Sequence, residues 1–252
     1  MWPVHRRRNP LLALLLAGLL LLGGCQPPVA NAAEDDHSTK VSNVAANDRA
    51  TSVAGEGNGL MGFRVAIDPG HGGIDHGAVG VNGTTEDAIN LQIATQLAKQ
   101  FTLAGADVLM TRESSDVDYT GTANTKKRRD MQNRARLITA QDSQVVISIH
   151  LNSYPDRRYR GAQTFYQKGS DEGKKLADAV QQALIDGLEG NNKRGSKAGD
   201  YFILKVTEKP SILVEAGFLT NAEDEKLLVQ ADYQTKIAAC IFHGVCDYLG
   251  VQ

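Results

Sequence analysis

Short apolar runs rich in β-branched residues alternate along this chain with longer stretches of helical period, and that alternation limits the fold more than any other feature. FRVAID over 63–68, stopped by Pro69-Gly70, reads as a buried strand closed by a turn. Residues 86–104 follow, with Ile89, Ile93, Leu97 and Phe101 at i, i+4 spacing, an amphipathic helix ending near Gly105. Further strands are expected at 107–111 (DVLMT), 145–151 (VVISIHL), 162–166 (AQTFY), 201–205 and 211–218 (SILVEAGF). Helices are expected at 128–142 with Met131, Ala135 and Ile138 inward, at 171–188 through Leu176, Val180 and Leu184, and near 222–230 and 232–248. Strands separated by helices of roughly 14 to 19 residues form βαβ crossovers. The expectation is a single α/β domain over 62–252, with a mostly parallel central sheet and helices on both faces. Such sheets bring reactive side chains to the carboxyl ends of their strands.

The N-terminus has a different character. Basic His5 to Arg8 precede the apolar run Leu11 to Leu22, then Gly23, Gly24 and Cys25. Twelve helical residues span about 18 Å, short of a hydrocarbon core of roughly 30 Å, so residues 1–24 read as an export signal rather than a stable membrane span. Small residues directly before a cysteine resemble the lipobox of bacterial lipoproteins, which implies cleavage before Cys25 and lipidation of its thiol. An ordinary signal with an incidental cysteine is the alternative. Gln26 is not the aspartate of the inner-membrane retention pattern, so an outer membrane facing the periplasm is the expected location in an organism with two membranes. Residues 26–61 are rich in Ala, Asn, Ser, Asp and Gly, with no aromatic residue, and read as a flexible tether spanning roughly 30 to 40 Å as a coil.

Charge and cysteine content exclude several classes. Three of the 27 basic residues, Arg6, Arg7 and Arg8, lie in the first 24 positions, which carry no acid, so the remaining 24 bases face 29 acids. A domain with that balance has no overall pull toward nucleic acid. Three cysteines make neither a disulfide framework nor a thiolate zinc site.

Four segments place a metal-capable or titratable side chain at or just beyond an apolar strand. Asp68-Pro69-Gly70-His71 ends the first strand, Glu86 opens the first helix, His150 closes VVISIH, and Glu215 sits inside SILVEAGF. Two imidazoles and a carboxylate suffice for a catalytic Zn²⁺ with an open fourth position, and another carboxylate could handle protons. Each residue also has a plainer reading: His71 as a turn residue between glycines, Glu86 as a favourable charge at a helix start, His150 as a satisfied core histidine. Glu215 resists one, because a carboxylate among Leu213, Val214, Ala216 and Phe218 is costly to bury without a partner.

DPGHGGIDHGAVG, TTEDAINL, SIHLNS and KPSILVEAGFLTN together resemble, in order, the four motif blocks of zinc-dependent N-acetylmuramoyl-L-alanine amidases of the family-3 type. The resemblance runs from about Phe63 to Leu249. It implies that His71, Glu86 and His150 are the zinc ligands and Glu215 the catalytic glutamate. The implied reaction is hydrolysis of the amide between the lactyl group of N-acetylmuramic acid and the L-alanine of a peptidoglycan stem peptide. Its implied fold, a mixed α/β sheet flanked by helices, agrees with the element order. Some members carry a helical insertion after the strand matching AQTFY that blocks the zinc until an activator displaces it. Here AQTFYQKGSDEGKKLADAV passes straight into the next helix, so no activator protein is expected to be required.

His76 is read as a surface or substrate-side residue, Asn152 and Asn221 as loop-orienting, substrate-orienting or capping amides, and Arg112 as a partner of an internal acid or of a stem-peptide carboxylate. Cys240 and Cys246, at i, i+6 in one helix, are expected to stay unbridged in packing roles, and His243 to be structural. Two competing functions stay open: a lipoprotein that binds peptidoglycan without cutting it, and a zinc hydrolase of another acyl amide.

Overall fold

The computed structural model describes residues 59–115, 123–188 and 192–251. The leader, Cys25 and most of the tether lie outside them. Among the described residues, six strands and five helices follow in chain order: β1 (Arg64–Pro69), α1 (Glu86–Leu103), β2 (Asp107–Met110), α2 (Ala123–Gln141), β3 (Val145–Asn152), β4 (Gln163–Gln167), α3 (Asp171–Gly187), β5 (Lys197–Gly199), β6 (Ser211–Phe218), α4 (Ala222–Leu228) and α5 (Ala231–Leu249). The sheet order is β2-β1-β3-β6-β4-β5. The first four strands of that order run parallel, β4 pairs antiparallel with β6, and β5 parallel with β4. The expected α/β architecture is therefore present, with one antiparallel pairing in a mostly parallel sheet.

The two faces differ because side chains alternate along a strand. Val65 and Ile67 of β1, Ile147 and Ile149 of β3, and Ile212 and Val214 of β6 join the inward stripes of α1, α3 and α5 in the larger core. Ala66, Val146 and Leu213 face the other way, where Ile138 of α2 covers them together with Ile203 and Leu204. On that second face the apolar residues stop halfway along the strands. Beyond Ala66 and Val146 the next positions in phase are Asp68, Ser148 and His150, and beyond Leu213 comes Glu215. The same alternation that builds the core thus delivers polar groups to the carboxyl ends under α2.

The segment expected as a strand at 201–205 is instead a 3₁₀ turn, Phe202–Lys205, and β5 lies earlier, at Lys197–Gly199. Ile203 and Leu204 are both buried although adjacent, which a turn permits and an alternating strand does not. β4 ends at Gln167 and α3 begins at Asp171, so no helix intervenes there. Cys240 and Cys246 are unbridged, and Cys240 is buried.

Candidate metal centre

A buried charge network supports the turn that follows β1. Asp68, almost fully buried, accepts from Thr111 Oγ1 at 2.6 Å, from Ser148 Oγ at 2.7 Å and from Arg134 Nη1 at 2.9 Å. Burial alone would raise its pKa, but Arg134 and the two hydroxyls outweigh that and hold it below the usual aspartate value. Arg134 also donates to the carbonyls of Pro69 and His71, and to Asp130 one turn back on α2. Arg112 donates to the carbonyls of Pro69, Gly70, Asp87 and Ser114. The internal ion pair expected for Arg112 is not formed among the described residues: its guanidinium satisfies backbone oxygens rather than an acid. Burial and the neighbouring Arg134 push its pKa down to about 10.

The braced turn puts His71 at φ 61°, a left-handed conformation that side chains seldom adopt. Glycines make room around it. A Cβ on Gly70 would lie 2.2 Å from His150 Cε1, and one on Gly77 2.5 Å from Glu86 Oε2.

His71, Glu86 and His150 converge. His71 Nε2 lies 3.2 Å, and His150 Nδ1 3.0 Å, from Glu86 Oε1. One donor atom from each of the three lies within 4.8 Å of the others. Metal–ligand bonds of roughly 2.0 to 2.1 Å in a tetrahedral site set neighbouring donors about 3.3 Å apart, so this set fits a zinc-sized ion. Glu86 is further held by the N–H groups of Leu151 (3.1 Å) and Ala78 (2.8 Å) and by Asn90 Nδ2 (3.3 Å). Burial would raise its pKa, yet the two histidines hold it well below the carboxylate range. His71 shows the reverse: burial lowers its pKa, and Glu86 and Asp75 raise it further than burial takes away. Nδ1 of His71 sits 3.1 Å from Asp75 Oδ2, a close charge contact rather than an aligned hydrogen bond, and Lys127 Nζ lies 2.7 Å from that same oxygen.

Glu215 is the direct neighbour of His150 across the β3–β6 pairing. It is 8% exposed, and its Oε2 has no hydrogen-bond partner among the described residues. Burial first, then the charge of Glu86, push its pKa up to about 7 against the opposing pull of His150 and His71. These groups line a cleft of about 400 Å³, walled also by Asn152, Met131, Tyr201 and Phe202.

The other candidates fall outside this cluster. His76 is largely exposed, its Nδ1 3.4 Å from Asp87. Asn221 caps α4, accepting from the N–H groups of Glu223 and Asp224. Asn152 accepts from Ser153 N–H at the cleft edge, and His243 is exposed on α5. The sequence reading missed Arg134 and Asp75. Arg134 had a signal, since it stands at i+4 from Asp130 and i−4 from Ile138, on the inward face of α2.

Fold and site together define an α/β enzyme whose reactive groups, including a His-Glu-His cluster able to take up a metal ion, line the carboxyl edge of a mostly parallel sheet. A family model described as N-acetylmuramoyl-L-alanine amidase matches residues 65–247. The chain belongs to that amidase family. The germination-specific N-acetylmuramoyl-L-alanine amidase of Bacillus subtilis (strain 168) is 35% identical over 192 residues, covering 75% of this chain and 81% of that protein. The amidase LytC of the same strain is 33% identical over 193 residues, 76% of this chain but 36% of LytC. Among solved structures, the CwlD amidase from Clostridioides difficile, determined in complex with the GerS lipoprotein, superposes with a TM-score of 0.73 at 36% identity, covering 75% of this chain and 100% of that one.

Proposed function

We propose that this chain is a zinc-dependent peptidoglycan amidase that hydrolyses the amide between the lactyl group of N-acetylmuramic acid and the L-alanine of the stem peptide. Family membership supports the reaction class. The observation that carries the finer reading is the convergence of His71, Glu86 and His150 donors within 4.8 Å, with the unpartnered carboxylate of Glu215 beside His150.

His71, Glu86 and His150 would hold the ion. Zn²⁺ bound there supplies positive charge that polarises an amide carbonyl and acidifies water. Glu215 takes a proton from water at its free Oε2 and returns it to the departing amine nitrogen. A pKa of about 7 suits a group that must both accept and donate near neutrality. Asp75, held by Lys127, faces Nδ1 of His71 and would leave Nε2, the nitrogen beside Glu86, to hold the ion. Tyr201 and Phe202 wall one side of the cleft.

The direct passage from β4 to α3 supports a site that works without an activator protein. At the cell envelope, the reading is a domain tethered by a lipidated Cys25, exported by the preceding signal and acting on adjacent wall. The test is mass spectrometry of purified peptidoglycan treated with the chain, with and without chelator. Stem peptides bearing a free L-alanine amino terminus are expected, and chelator abolishes them. Failure to release them with zinc present, and with no second protein added, would overturn the reading.

A further inference from the structure

The loop between β3 and β4 leaves the cleft directly, since Asn152 and Ser153 line it and Tyr154 comes next. It is fixed at four points. Tyr154 N–H donates to Thr220 Oγ1 (3.1 Å), Asn221 Nδ2 to the Arg157 carbonyl (2.7 Å), Arg194 Nε to the Arg160 carbonyl (3.0 Å), and Gly161 N–H to Asp224 Oδ2 (2.8 Å). In a loop held this way, Tyr154 and Tyr159 are still 48% and 44% exposed.

The two rings meet edge to face, centroids 4.6 Å apart at 61°. Tyr159 is backed from beneath by Phe218 at 6.3 Å and by the Arg194 guanidinium at 5.5 Å from its ring centre. That support sets the rings in place before any ligand arrives, so little ordering remains to oppose binding. Neither phenol hydroxyl has a hydrogen-bond partner among the described residues. Packing on Phe218 and Arg194 secures Tyr159 but does not account for the half of each ring left open to water. A sugar ring does account for it. Its C–H face lies against an aromatic face, while its hydroxyl and acetamido oxygens accept from a phenol.

We propose that Tyr154 and Tyr159 form a saccharide platform that grips the glycan strand next to the bond being cut. The identity of that glycan as peptidoglycan rests on the function proposed above. The platform itself does not, and binding can be measured without turnover.

The probe is peptide-free glycan of alternating N-acetylglucosamine and N-acetylmuramic acid, titrated against the full chain in chelator. Wild type binds, Tyr154→Ala weakens binding about tenfold, and Tyr154→Trp restores it. Thermal midpoints of both variants, read in parallel, establish that they are folded. No binding by wild type, or equal binding by wild type and a folded Tyr154→Ala, overturns the platform. Loss on Tyr154→Ala with no recovery in a folded Tyr154→Trp also overturns it, because a stacking surface accepts any large ring. If glycan binding depends on Tyr154 while no stem peptide is ever released, the platform stands and the amidase reading falls.

Discussion

Replacing Glu215 with glutamine separates what this carboxylate contributes to turnover from what it costs the fold. In the metal-free protein, burial and the charge of Glu86 raise its pKa from 4.5 to about 7. The folded value of this acid lies above the unfolded one, so its ionisation opposes folding. Below the unfolded value both states are protonated and there is no penalty. The penalty grows by about 1.4 kcal/mol for each pH unit up to the folded value, then levels off near 3 kcal/mol. Glu215→Gln removes it. An unpartnered amide carries its own cost of roughly 1 to 3 kcal/mol, but that cost does not change with pH. The stability of the variant relative to wild type should therefore rise by roughly 2 to 3 kcal/mol between pH 5 and pH 8. Urea unfolding in chelator at the two pH values measures it. A difference that stays constant with pH would refute the reasoning, since Glu215 would then titrate like an exposed glutamate. In the presence of zinc, the same variant should keep the metal while turnover drops by a factor on the order of 100 to 10,000.

Asp75→Ala removes the carboxylate facing Nδ1 of His71, and zinc affinity in a competition assay with a chromophoric chelator should fall by roughly 10- to 100-fold, with Asp75→Asn intermediate. Unchanged affinity would mean that the ring is oriented without it. Gly70→Ala puts a Cβ 2.2 Å from His150 Cε1 and forces that ring aside. Turnover should drop on the order of 100-fold for a stability cost of about 1 to 3 kcal/mol by urea unfolding, and full activity would show that the turn moves instead of the ring.

Where an element's buried face repeats in one regular period, the sequence displays it. β1, β3 and β6 are β-branched runs, and α1 carries its core residues four apart, so their existence and type are plain from the chain alone. His71, His150 and Glu215 stand out for a related reason: each interrupts or ends an apolar run where burial penalises a titratable group. The 3₁₀ turn escapes this logic because four apolar residues carry no period long enough to separate turn from strand. The antiparallel pairing of β4 with β6 depends on how the strands meet in space, which local pattern does not encode. Arg134 and Asp68 find each other across 66 positions, and although its spacing to Ile138 puts Arg134 on the inward face of α2, nothing local names the acid it meets there.

On β3, Ile147 and Ile149 point to one side while Ser148 and His150 point to the other. A slip of one residue in its pairing would send the imidazole into the oily layer and bring isoleucine to the place where a ligand is needed. Misthreaded chains of that kind would forfeit core and catalytic apparatus together. Quality control that merely senses exposed grease would then also be discarding every copy of β3 unable to work.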